Sequence, residues 1–80
     1  MAKMLLMDER LTNIVASNIK KFRKKLNISQ EELAERAGLH RTYIGGVERG
    51  ERNITLDTLQ TIATALNIAP VELIVEENNV

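Results

Sequence analysis

Leu11, Ile14, Val15, Ile19, Phe22 and Leu26 recur at three- and four-residue intervals, and this period predicts a first amphipathic helix starting at Asp8 or Thr12 and ending near Leu26. Its outer face carries Lys20, Lys21, Lys24 and Lys25. The run Ser29-Gln30-Glu31-Glu32 then reads as a capping box, in which the Ser29 hydroxyl and the Glu32 carboxylate each satisfy a free amide at a helix start. Ile28 and Leu33 flank it as a hydrophobic staple, and Leu33, Ala34 and Ala37 form the stripe turned inward. Gly38 supplies the positive φ of a tight corner. A short third helix follows, with His40 as its cap, Leu39 and Ile44 as its staple, Val47 on its inner face and Gly50 at its end.

Beyond a polar loop at 51–54, Thr55 caps a fourth helix whose Leu56, Leu59, Ile62, Ala63 and Leu66 are expected to face inward. Asn67 suits a left-handed stop, and Pro70 suits the first position of a fifth helix over about 70–76. Val71, Leu73, Ile74 and Val75 make that helix apolar on more than one side, which a solvent-facing end helix should not be. Residues 77–80 are expected to fray. No repeat or linker interrupts the pattern, so the fold class is all-α: one five-helix domain over residues 1–80, with a helix-turn-helix at about 29–50.

A chain of 80 residues buries roughly 60 to 65% of its unfolded surface, so a partner subunit would add useful stability. The absence of cysteine excludes disulfides, thiolate metal sites and a thiol nucleophile, and a reducing cytoplasm is the natural compartment. The apolar run Met4–Met7 is too short for a signal-peptide core and meets Asp8, Glu9 and Arg10, so neither export nor a membrane partner is expected. With one Phe, one Tyr and no Trp, the core must be aliphatic, and stacking platforms for single-stranded nucleic acid are missing.

His40 is the single histidine, which makes a zinc site improbable. Ser17 lies within a helix and Ser29 serves as a cap, so no catalytic constellation and no cofactor are expected. Net charge is zero, yet its distribution is uneven. All 11 Lys and Arg fall between Lys3 and Arg52 with 7 acids, a net +4, whereas 53–80 hold four acids and no base. One half can face phosphate; the other cannot.

The chemistry concentrates in Gln30 to Gly50, a capped helix, a glycine corner and a second short helix, which is the spacing that braces one helix across a duplex while the next enters the major groove. Arg41, Thr42, Tyr43, Gly45 and Gly46 take groove-facing positions, while Ile44 and Val47 point to the core. Arg41 can donate two hydrogen bonds to guanine O6 and N7, and Thr42 offers a hydroxyl and a methyl. Adjacent glycines cost a helix about 1 kcal/mol each relative to alanine. Either they let the backbone approach base edges or the helix frays early.

Tyr43 either packs across the helix pair or lies against sugar and phosphate. Gln30 begins a helix where amides aim at a phosphate, and Arg52 and Asn53 sit just beyond the recognition helix, with a plain turn role open for Asn53. The Lys20, Lys21, Lys24 and Lys25 cluster is either a solvated face or a source of unspecific phosphate attraction.

The strings Ser29-Gln-Glu-Glu-Leu-Ala-Glu-Arg-Ala-Gly-Leu-His40 and Arg41-Thr-Tyr-Ile-Gly-Gly-Val-Glu-Arg-Gly-Glu-Arg-Asn53 resemble the five-helix lambda-repressor-like domains. Within these they are most similar to the controller proteins of restriction-modification systems, small dimers that time expression of an endonuclease and of their own gene. The resemblance spans roughly residues 12–76. It implies a DNA-binding transcriptional regulator, not an enzyme, that activates and represses from a palindromic double-stranded operator.

By the resemblance Gln30, Arg41, Thr42, Tyr43, Arg52 and Asn53 contact DNA, while Gly45 departs from the serine expected there, which leaves a side-chain contact from that position in doubt. The resemblance also implies a homodimer formed through about 55–76, with Leu66, Ile68, Val71, Leu73, Ile74 and Val75 at its interface. Arg23 and Glu48 match a buried ion pair joining the first and third helices, and Glu31 and Glu35 match an acidic patch that touches RNA polymerase. A phage or antitoxin-type repressor shares the fold, and so does a protein-interaction adaptor, against which Arg41, Thr42 and Arg52 speak.

Overall fold

The computed structural model describes residues 2–76, with side chains from residue 11 onward, so the fraying expected at 77–80 lies outside the described residues. Four α-helices, α1 (Ala2–Lys25), α2 (Gln30–Ala37), α3 (Arg41–Glu48) and α4 (Leu56–Ala65), are followed by a single 3-10 turn at Pro70–Leu73. Among the described residues there is no strand.

α1 begins at Ala2, well before the expected Asp8 or Thr12. The intervening Ala, Lys, Met and Leu residues are good helix formers with no glycine or proline among them, so nothing local stops the helix from extending toward the N-terminus. It closes with Arg23, Lys24 and Lys25 in its last turn, where cations meet the negative end of the helix dipole, and Asn27 leaves it at φ 61°. Ser29 caps α2 as expected, its hydroxyl accepting from the Glu32 amide at 3.0 Å. The other half of the expected box is replaced: the Glu32 carboxylate accepts from Arg36 at 2.9 Å.

Gly38 turns the corner at φ 69°. Both Gly38 and Leu39 then donate back to carbonyls of α2. His40 occupies the N-cap position of α3 with extended backbone, but its ring makes no capping hydrogen bond; the cap is a backbone one only, from the Ile44 amide to the His40 carbonyl at 3.1 Å. Thr55 caps α4 with its hydroxyl, 3.1 Å from the Thr58 amide.

Asn67 ends α4 at φ 66°. The fifth element is a 3-10 turn instead of an α-helix over 70–76. Asn18, a buried polar residue on α1, ties this segment down: its amide donates to the carbonyls of Leu73 at 2.9 Å and Val75 at 3.0 Å. So short an element leaves its last carbonyls without donors of its own, and Asn18 supplies them.

The core gathers Ile19 of α1, Leu33 of α2, Ile44 and Val47 of α3, Ile62 and Leu66 of α4, and Leu73 of the terminal turn, all essentially inaccessible. Each such side chain contributes about 1.5–3 kcal/mol through burial. Leu66 and Leu73 therefore belong to the interior of one chain and not to a subunit interface, a correction to the set expected from the resemblance. Leu56, expected inward, is 83% exposed, and Val71, Ile74 and Val75 are 56%, 42% and 55% exposed. Leu11, Leu56, Leu59 and Ile74 line one shallow apolar groove beside Val15 and Val47.

Candidate nucleic-acid interface

α3 is held by a charged clamp. Arg23 of α1 meets the Glu48 carboxylate edge-on, Nε to Oε2 at 2.6 Å and Nη2 to Oε1 at 3.1 Å, with side-chain exposures of 10% and 2%. The remaining terminal nitrogen of Arg23, Nη1, donates to the Ile28 carbonyl at 2.8 Å. Gln30, the first residue of α2, donates to Glu48 Oε1 at 2.9 Å. One carboxylate near the end of α3 thus collects donors from α1 and from the start of α2. Such a bidentate, water-excluded pair is costly to break from one side, because the partner left behind stays desolvated.

Gln30 thus gives one amide proton to the clamp, while its side chain also lines a groove with Arg41 and Thr42.

Arg41 and Thr42 stand exposed at the start of α3, while Ile44 and Val47 are buried. α3 runs unbroken through both glycines to Glu48. Both glycines are buried, with arginine side chains folded close over them. A Cβ at position 45 would stand 3.2 Å from Arg49 Nη1 and 3.6 Å from Gln30 Oε1, and one at position 46 would stand 3.2 Å from Arg52 Nε. Each missing side chain makes room for an arginine from further along the chain.

Arg52 lies across Gly46 with its guanidinium carbon 5.6 Å from the centre of the Tyr43 ring. Tyr43 is half-buried and packs against the core, so its ring braces the helices on one side and seats Arg52 on the other. Arg52 and Asn53 are exposed on the loop before α4. Arg41, Thr42, Gln30 and Gly45 line one polar groove with Arg23, Ser29, Glu31 and Arg49, while Arg52 and Asn53 border the apolar groove. Glu31 and Glu35 stand exposed one turn apart on α2.

A Helix-turn-helix family profile matches residues 19–73, which contain the clamp, the glycine corner and α3. The chain belongs to the helix-turn-helix family. Control protein C.SmaI of Serratia marcescens is 51% identical over 67 residues, covering 84% of this chain and 80% of that one. The restriction-modification controller protein C.AhdI of Aeromonas hydrophila has a similar structure, with a TM-score of 0.75 at 44% identity over 78% of this chain and 94% of that one. The restriction-modification controller protein C.Esp1396I, solved as a tetramer with its natural 35 base-pair operator, superposes with a TM-score of 0.74 at 40% identity, covering 79% and 83%. This helix-turn-helix protein is thus a homologue of restriction-modification controller proteins.

Arg49 is a residue of this helix-turn-helix surface that the pattern reading passed over. It follows Arg41 and Gly45 at four-residue steps, so the helical period alone aligns the three. It also pairs with Glu51, Nε to Oε2 at 3.1 Å. That hydrogen bond, and then the opposite charge, hold the Glu51 carboxyl below the ordinary glutamate range and push the Arg49 guanidinium up. Asn18 was missed too, although a polar residue within the apolar stripe of α1 is a signal that something buried must receive its hydrogen bonds. No described helix is long and apolar enough to cross a membrane.

Proposed function

We propose that this protein is a cytoplasmic controller-type transcriptional regulator, without enzymatic activity, that reads a palindromic double-stranded operator as a homodimer. The observation that carries the reading is the exposed start of α3, with Arg41 and Thr42 on a helix whose far end is locked by Arg23, Gln30 and Glu48. Rigidity matters because a guanidinium fork discriminates guanine O6 and N7 only when its backbone is held in place; a good bidentate contact is worth about 1–3 kcal/mol of discrimination. Arg52, seated on Tyr43, and Asn53 add contacts from the following loop.

Dimerisation falls to the acidic half of the chain. There Val71, Ile74 and Val75 leave apolar surface exposed beside half-buried Ile68. A two-fold pairing through this surface would set the two recognition helices in successive major grooves about 34 Å apart. Repression then follows from covering promoter elements, and activation of the regulator's own and the endonuclease gene from recruiting polymerase, with Glu31 and Glu35 as the contact. Charge reversal at both glutamates that leaves promoter activation intact rules that contact out.

The test of the whole reading is a gel-shift series on the DNA upstream of the protein's own gene and on random duplex at rising salt. Selective binding should persist where unspecific binding fades. Equal loss on both duplexes would overturn sequence-specific recognition.

A further inference from the structure

We propose that Arg49 is a phosphate-clamping residue of the DNA interface, kept aimed over Gly45 and latched by Glu51 until a backbone phosphate displaces the glutamate. The inference rests on α3 being the element that meets DNA.

Long side chains on a helix lean toward its N-terminus, so Arg49 covers the turn before its own Cα. That turn carries Gly45, and a Cβ there would come within 3.2 Å of the Arg49 Nη1 atom. The guanidinium therefore occupies the space of the side chain that position 45 lacks, and it enters the groove shared by Ser29, Gln30, Arg41 and Thr42. A duplex backbone running along this groove from Arg41 would meet a second guanidinium about two helical turns further on.

Glu51 holds the Nε edge at 3.1 Å, but both side chains remain largely in solvent, 60% and 58% exposed. Exposed pairs of this kind are weak, because water screens them and two long side chains must be ordered. A duplex phosphate is a stronger competitor, since its contact also releases condensed counterions. Glu51 thus orders the arginine in the free protein without capturing it. Glycine at position 45 favours this arrangement, as a Cβ 3.2 Å from Nη1 would press the guanidinium outward by a few tenths of an ångström.

The experiment measures binding of the full-length chain to its own upstream duplex and to random duplex across a salt series, for the parent, Arg49→Gln, Glu51→Gln, the double variant and Arg41→Ala. Arg49→Gln should weaken both duplexes on the order of tenfold, and should reduce the slope of log K against log salt by about 0.9 per bound subunit. An unchanged slope, or a loss confined to the upstream duplex, overturns the phosphate assignment. Glu51→Gln should tighten binding roughly threefold in the parent, as expected for release of a weak exposed pair, and leave the Arg49→Gln background unchanged. Equal tightening in both backgrounds means general repulsion by Glu51 and overturns the latch. If Arg41→Ala loses selectivity while the Arg49→Gln slope is unaltered, only this inference fails; if Arg41→Ala keeps selectivity as well, the recognition-helix reading fails with it.

Discussion

Replacing Glu48 by alanine should be among the most damaging single changes in this chain. The substitution strands Arg23, whose side chain is 10% exposed, with one remaining bond to the Ile28 carbonyl, and it removes the acceptor of the Gln30 amide. Breaking one side of a buried pair costs about 3–5 kcal/mol, because the abandoned charge keeps its desolvation penalty. The surviving Ile28 bond favours the lower end, about 3 kcal/mol. A domain of 80 residues has about 4–12 kcal/mol in total. The loss is thus a quarter to three-quarters of all stability, and the melting midpoint should fall by roughly 12 to 24 °C.

The assay is thermal and urea unfolding by circular dichroism at fixed protein concentration, since dimerisation adds its own stabilisation. The companion is Arg23→Met with Glu48→Met. Replacing both charges by apolar groups of similar size is often neutral or stabilising, so the pair of changes should recover most of the loss. A Glu48→Ala penalty below about 1 kcal/mol, the magnitude of an exposed pair, would refute the reasoning. So would a double variant as unstable as the single.

Glycine substitutions should separate conformational strain from steric strain. Gly38 and Gly50 both hold positive φ, but a Cβ at Gly38 meets nothing within 4 Å, whereas one at Gly50 would stand 2.8 Å from Asn13 Oδ1. Gly38→Ala should cost about 1–2 kcal/mol and Gly50→Ala a similar amount, read by urea unfolding, because the exposed Asn13 side chain can swing aside; a much larger cost at Gly50 would show that Asn13 is held in place. Val71→Glu with Ile74→Glu should give monomers in analytical ultracentrifugation while leaving helical content intact, because both side chains are already exposed in the single chain; a persistent dimer would move the interface elsewhere.

The Glu51 carboxyl, lowered by its bond to Arg49, should titrate below an ordinary glutamate by NMR. Its small stabilisation is present above the unfolded-state pKa and is lost as pH falls through the folded one. In Arg49→Gln the midpoint should move up, and a stationary midpoint would contradict the pairing.

What the sequence determined was local. Ser29, Gly38, Gly50, Thr55 and Asn67 mark element ends because a cap or a left-handed corner depends on a residue and its neighbours within one turn, and all five behave as their chemistry requires. The positions of α2, α3 and α4 followed, along with Ile19, Leu33, Ile44 and Ile62 as core and Arg41 and Thr42 as exposed residues. Tertiary structure decided wherever two locally acceptable outcomes competed. Leu66 faces inward as the period of α4 required, but Leu73 is as apolar as Val71 and Ile74, and only the packing of the last turn against α1 and α4 sends it inward.

The same contact, through Asn18, gives the Leu73 carbonyl a partner from 55 residues away, which no local pattern could name. The adjacent glycines of α3 gain their meaning only when Arg49 and Arg52 fold back over them. Periodicity identifies which residues share a face; which face is covered, and by what, depends on distant side chains whose packing energies exceed the roughly 1 kcal/mol of local preference.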